Sequence, residues 1–128
     1  MKKFTLSSRE RLKDPKIIAQ LLKEGKAAFS YPLKLIYLQI PYDGNPYRFG
    51  VTVPRRKIKK AVNRNTIKRR IREAFRLNKE ILSPLETEKE YTYTLFAIYV
   101  ANEEIEYKII ENSMKKNLND IVNHLRKG

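Results

Sequence analysis

The chain is 128 residues long, 41% hydrophobic and free of cysteine, and 28 Lys and Arg against 14 Asp and Glu give it a formal net charge of +14. That length fits one domain, residues 1–128, with a single modest core, and the lack of cysteine excludes disulfides, thiolate nucleophiles and Cys-bound zinc. No apolar run approaches the roughly 18–20 residues that a membrane span needs, no secretory h-region follows Lys2 and Lys3, and a pI near 10.0 points to nucleic acid before any other partner. A cytoplasmic protein with no membrane partner is the expectation.

Met1 to Lys13 reads as a basic, extended lead-in whose Phe4 and Leu6 dock on the core. Asp14-Pro15 then signals a helix start, because Asp caps free N–H groups and Pro fits the first helical position. Ile17, Ile18, Leu21 and Leu22 repeat at helical spacing up to a stop at Gly25, which predicts a helix from about Pro15 to Glu24. Ala27 to Pro32 is a link carrying Phe29 and Tyr31. Leu33 to Ile40 and Tyr47 to Val53 read as strands joined through the turn-rich Pro41 to Pro46, hence as an antiparallel hairpin. Gly50 inside the second strand predicts a bulge or a close backbone approach.

The basic connector Pro54 to Lys60 leads into a helix that starts at about Ala61 or Arg64, runs to about Ile81 and is ended by Ser83-Pro84. An acidic linker, Leu85 to Glu90, precedes Tyr91 to Val100, which is apolar or β-favouring at nearly every position and suits an inner strand covered on both faces. The last helix, about Tyr107 to Arg126, carries Ile110, Met114, Leu118, Ile121, Val122 and Leu125 on one stripe. The order α-β-β-α-β-α, with room for one more short strand, makes a small α+β sandwich.

The most informative stretch is Pro54 to Arg76. Between Pro54 and Arg72 it holds ten basic residues and no acidic one, and like charges at helical spacing repel by a few tenths of a kcal/mol per pair. On a helical wheel Ile67, Ile71, Ala74, Phe75, Asn78, Ile81 and Leu82 share one face, while Asn65, Lys68, Arg69, Arg72, Arg76 and Lys79 share the opposite one. A solvated charged face would interleave both signs, and a disordered basic tail would lack the apolar face. The pattern predicts a rigid cationic surface facing an anion. Arg64 falls near the apolar edge, where bracing the fold competes with binding.

Other polar and aromatic groups have plainer readings. Tyr91, Tyr93, Phe96 and Tyr99 fit core and cross-strand pairs better than a stacking platform. His124 reads as a surface residue, and Glu103, Glu104 and Glu106 as solubilising groups on a connection. No Ser/His/Asp set, His cluster or Gly-rich phosphate loop exists, so no protein-borne catalytic residue or metal ligand is expected. Composition alone leaves open a ribosomal or assembly RNA-binding protein, and a basic helix for the major groove of DNA.

The run AVNRNTIKRRIREAFR, with Arg64-Asn65, Lys68-Arg69 and Arg72 at fixed spacing between Ala61-Val62 and Ala74-Phe75, resembles the signature of the bacterial ribonuclease P protein component family. Arg11-Leu12-Lys13, Lys23-Glu24-Gly25 and the aliphatic Leu33 to Leu38 stand where that family has a basic opening, a short helix end and a strand. The resemblance implies a mainly antiparallel four-stranded sheet with three helices, in the order α-β-β-β-α-β-α and with a left-handed β-α-β crossover. It also implies a protein that joins a large catalytic RNA, in a 1:1 complex, to remove the 5′ leader from precursor tRNA. Mg²⁺ would be held mainly by the RNA.

Two surfaces follow from the resemblance. Arg55, Arg56, Lys57, Lys59, Lys60, Arg64, Asn65, Lys68, Arg69, Arg72 and Arg76 would meet the catalytic RNA. A cleft between the first helix and the sheet would take the single-stranded leader. Family members often place aromatics there, where stacking on a base is worth roughly 1–3 kcal/mol. Here the matching positions are Ile18 and Leu22 on the helix and Lys34 and Ile36 on the strand, with Phe29, Tyr31 or Tyr37 as the neighbouring aromatics.

Overall fold

The computed structural model describes residues 10–86 and 89–127; the expected docking of Phe4 and Leu6 lies outside them. Its elements in chain order are α1 (Pro15–Glu24), β1 (Lys26–Ser30), β2 (Leu33–Pro41), β3 (Tyr47–Thr52), α2 (Ala61–Asn78), a 3-10 segment (Lys79–Leu85), β4 (Tyr91–Tyr99) and α3 (Tyr107–Lys127). The link after Gly25 is thus a strand, and the four strands with three helices give the expected α+β architecture.

The first helix forms where its caps place it. The Asp14 carboxylate accepts from the Lys16 N–H at 2.9 Å, and Gly25 closes the other end through its N–H to the Leu21 carbonyl. Gly25 is required by space: a Cβ there would stand 2.5 Å from the Leu21 carbonyl oxygen and 2.7 Å from Ile36 Cγ2. Gly50 answers the same need, since a Cβ there would come within 3.0 Å of the Phe96 ring. It marks a close approach in an unbroken ladder, not a bulge.

The sheet runs β1-β2-β4-β3, with β1–β2 and β2–β4 antiparallel and β3–β4 parallel. β2 and β3 therefore do not form the hairpin that their turn-rich connection predicts. β4 inserts between them because it is apolar toward both faces and hydrogen-bonds on both edges. The turn folds over the start of β4: the Thr92 hydroxyl lies 2.6 Å from the Asn45 carbonyl oxygen and accepts from the Asp43 N–H at 3.0 Å. The Tyr93 N–H bonds the Pro46 carbonyl at 2.9 Å.

Odd-numbered β2 residues Leu33, Leu35 and Tyr37 join Phe49, Leu95, Ala97 and Tyr99 in a core covered by α2 and α3. All the residues expected on the α3 stripe lie in or against it. Two polar groups of α3 are buried with it and tie the helix to the sheet: Ser113 Oγ donates to the Ser30 carbonyl, and Asn117 Nδ2 donates to the Leu33 carbonyl at 3.2 Å. On the opposite face Leu12, Leu21, Ile36 and Phe96 make a smaller core under α1. Helices on both sides account for the burial of β4 on both faces from Thr94 to Ala97. Tyr91, at its start, is exposed and outside the core.

Beyond Asn78 the helix tightens into the 3-10 segment, which contains Pro84 instead of ending before it. Lys79 is buried, not outward, and its ammonium sits 3.0 Å from the Glu10 carboxylate. A lysine there is tolerated because burial of a charge demands a partner and receives one.

Candidate nucleic-acid interface

The connector and α2 form one basic surface built on an apolar base. Ile58 is buried between exposed Arg55, Arg56, Lys59 and Lys60, with Lys57 half-buried. The Lys57 and Ile58 N–H groups both bond the Pro54 carbonyl, at 3.0 and 3.1 Å. Arg64 reaches back and donates to the Ile58 and Lys59 carbonyls at 3.0 and 2.8 Å. It braces the connector, and its position near the apolar edge of the wheel is what allows this. We expect Arg64→Ala to cost about 1–2 kcal/mol and to speed amide hydrogen exchange selectively across residues 55–60.

Ile67, Ile71, Ala74 and Phe75 are fully buried and fix the rotation of α2 on the sheet. That rotation leaves Asn65 and Arg69 exposed and Lys68, Arg72 and Arg76 half-buried. The first turn of α2 has no acidic residue and no side-chain cap, so its free N–H groups add to the positive field. Arg70, off this row, is engaged elsewhere: it donates to the Ile105 carbonyl at 2.9 Å and pairs with Glu104 at 2.9 Å. Glu104 therefore locks α2 to the segment before α3, a structural role beyond the solubilising one its sequence context predicts. Arg76 pairs with Glu73 within the helix, at 3.0 Å between Nε and Oε1.

The row opens onto a groove of about 560 Å³ lined by Asn65, Lys68, Arg69, Arg72, Glu73 and Arg76 of α2. Arg11, from the segment before α1, lines it as well. The sequence shows Arg11 as part of a basic lead-in, but nothing local places it beside α2. Burial first, and then the charge of Arg11, lower the pKa of the Arg72 guanidinium. Cations fixed in this way, with few carboxylates among them, suit a row of phosphates.

The second predicted surface is brought together in part. Phe29, Lys34, Ile98 and Thr52 stand opposite one another across all four strands, next to the row Ala27, Ile36, Phe96 and Gly50. Ile18 packs on the second row; Phe29 and Leu22 are exposed at 59% and 53%. Ile98 and Thr52 complete the floor and were not among the expected residues. Ile36 is buried beneath α1. Tyr31 stands in the β1–β2 turn near Tyr99, whose hydroxyl pKa burial pushes up to about 12 with Tyr31 adding to the rise. Tyr37 faces the other way: it is buried under α3, edge-on to exposed His124 at 6.0 Å, and does not reach this face.

Among the described residues no helix is long and apolar enough to cross a membrane, and no group of three or more His, Cys, Asp or Glu is placed to hold a metal ion.

Comparison with known proteins gives a consistent result. The family model described as Ribonuclease P matches residues 6–122. A ribonuclease P protein component from Porphyromonas gingivalis is 34% identical over 120 residues, covering 90% of this chain and 85% of that protein. One from Syntrophus aciditrophicus is 41% identical over 80 residues, covering 62% of this chain and 65% of its own. Among solved structures, the RNase P protein of Thermotoga maritima superposes with a TM-score of 0.68 at 23% identity, covering 88% of this chain and 97% of that one. The Staphylococcus aureus RNase P protein gives a TM-score of 0.66 at 22% identity, over 88% and 94% of the two chains.

Proposed function

Because the chain belongs to the ribonuclease P protein component family, we propose that its α2 face binds the catalytic RNA and that the cleft beside α1 guides the 5′ leader of precursor tRNA. Membership makes it the protein subunit of the ribonucleoprotein endoribonuclease that matures tRNA 5′ ends, with ribonuclease P RNA as its partner. It also disfavours the ribosomal-assembly alternative that composition leaves open.

One observation carries the assignment of faces. The apolar side of α2 is fully buried, so Asn65, Lys68, Arg69 and Arg72 are presented from a rigid base. A rigid row of cations binds a phosphate backbone without first losing conformational entropy, which a mobile basic tail would lose on binding. Arg55, Arg56, Lys57, Lys59 and Lys60 extend the row through a connector that Arg64 holds in shape.

The protein's work in this reading is electrostatic and positional. Mg²⁺ would be held mainly by the RNA and, when bound, would supply activation of the attacking water. The cations of α2 lower repulsion between RNA segments, which lowers the Mg²⁺ needed for folding and for cleavage. Phe29, Lys34 and Ile18 hold a single strand by stacking, charge and aliphatic packing, beside Leu22 and Ile36, with Tyr31 at the turn. One protein serves one RNA, in the cytoplasm.

The test is cleavage of precursor tRNA by a bacterial catalytic RNA at low Mg²⁺, with and without this protein, on substrates carrying a long or a one-nucleotide leader. We expect the protein to restore cleavage at the mature 5′ end, more strongly for the long leader. Equal stimulation of both substrates would remove the leader cleft from the reading; no stimulation would remove the subunit role itself.

A further inference from the structure

Two guanidinium groups, far apart in sequence, line the groove beside α2. Arg11 precedes α1 and is placed by its backbone: it bridges to Phe49 of β3, and the buried Leu12 next to it donates its N–H to the Phe49 carbonyl at 2.8 Å. Arg72 comes from the groove-facing side of α2. Among the described residues neither side chain makes an ion pair or hydrogen bond. The carboxylate lining the groove, Glu73, is already held by Arg76. The mutual repulsion of Arg11 and Arg72 is felt at Arg72, whose pKa burial and then Arg11 depress. Such a pair is unfavourable in the free protein and is relieved when an anion enters between the two.

We propose that Arg11 and Arg72 form a two-guanidinium clamp that takes one backbone phosphate of the RNA partner, a role that rests on reading α2 as the RNA face. A phosphodiester suits the arrangement, since planar guanidinium forks approaching from two sides each engage phosphate oxygens. Arg11 also borders a second groove of about 300 Å³ together with Lys13, Ile17 and the Arg48–Asp43 pair. The clamped phosphate therefore sits where the α2 face meets the α1 side of the sheet, which fixes the register of one surface relative to the other.

The experiment measures binding of full-length Arg11→Gln, Arg72→Gln and the double variant to a bacterial ribonuclease P RNA across a salt series, with thermal melts alongside. Each single variant should bind about tenfold more weakly and lose about 0.7–0.9 from the log-log salt slope. The double variant should be little worse than either single one, with a slope loss still of one phosphate. Arg11→Gln should melt no lower than the parent, because it removes a repulsion and, among the described residues, no ion pair or hydrogen bond. Additive losses with a two-phosphate slope change would show two separate contacts and overturn the clamp, as would Arg11→Gln binding like the parent while Arg72→Gln does not. Parent-like binding by both variants and by Lys68→Ala would overturn the clamp together with the reading of α2.

Discussion

Phe75→Ala will lower the stability of the free protein by about 3–5 kcal/mol, read as a shift of the urea midpoint at unchanged slope. Phe75 is fully buried; its ring stacks on Phe49 at 4.1 Å and 4° and meets Tyr47 edge-on at 6.0 Å. Truncation removes the dispersion contacts of both pairs and leaves a cavity that the sheet on one side and the helix on the other cannot close. Against a typical total of about 5–15 kcal/mol, this is a large share, and a melting-temperature fall on the order of 10–20 °C follows. RNA affinity of the fraction that remains folded should change little, because Phe75 points away from the groove. Phe49→Ala combined with Phe75→Ala should cost less than the sum of the two, since both remove the same stacked pair. A loss below about 1 kcal/mol would mean that α2 is not anchored through this ring, and the assignment of its outer face would fall with it.

Elements whose signals are local were legible in the sequence. The Asp14-Pro15 start and the Gly25 stop bound α1, and the spacing of Ile110, Met114, Leu118 and Ile121 marks the buried side of α3, because capping and periodicity depend only on neighbours in the chain. Strand order was not legible: Pro41 to Pro46 announces a reversal, but a reversal does not say which strand the chain pairs with afterward. The parallel partner of β3 arrives only after α2, and its claim on the central position lies in the two-sided apolarity of Tyr91 to Tyr99. Lys79 was misplaced for a related reason. On the wheel Lys79 falls at the edge of the outward face, and the partner that permits its burial, Glu10, is remote in sequence. On α2 itself the outward row Asn65, Lys68, Arg69 and Arg72 was readable because one helix carries it. Arg11 was not, since only the backbone contact to Phe49 brings it to the groove.

The largest loss of RNA affinity should come from Lys68→Ala combined with Arg69→Ala, about 3 kcal/mol or on the order of 100-fold at moderate salt. Each residue is expected to give one charge-assisted contact to phosphate, and two lost contacts should flatten the log-log salt slope by about 1.4–1.8. Stability should move by no more than about 0.5 kcal/mol, because Arg69 is exposed, Lys68 half-buried, and neither is paired among the described residues. Arg70→Ala supplies the control. It removes a neighbouring charge from the same helix, so a nonspecific attraction set by net charge alone would register its loss much as it registers the loss of Arg69. Arg70 is instead bound to Glu104 and the Ile105 carbonyl, so its removal should cost about 1 kcal/mol of stability while leaving the salt slope nearly unchanged. Equal slope losses for Arg69→Ala and Arg70→Ala would mean that the RNA senses the charge of the helix without regard to its faces. Unequal losses in the stated direction would tie recognition to the row that the buried side of α2 holds outward.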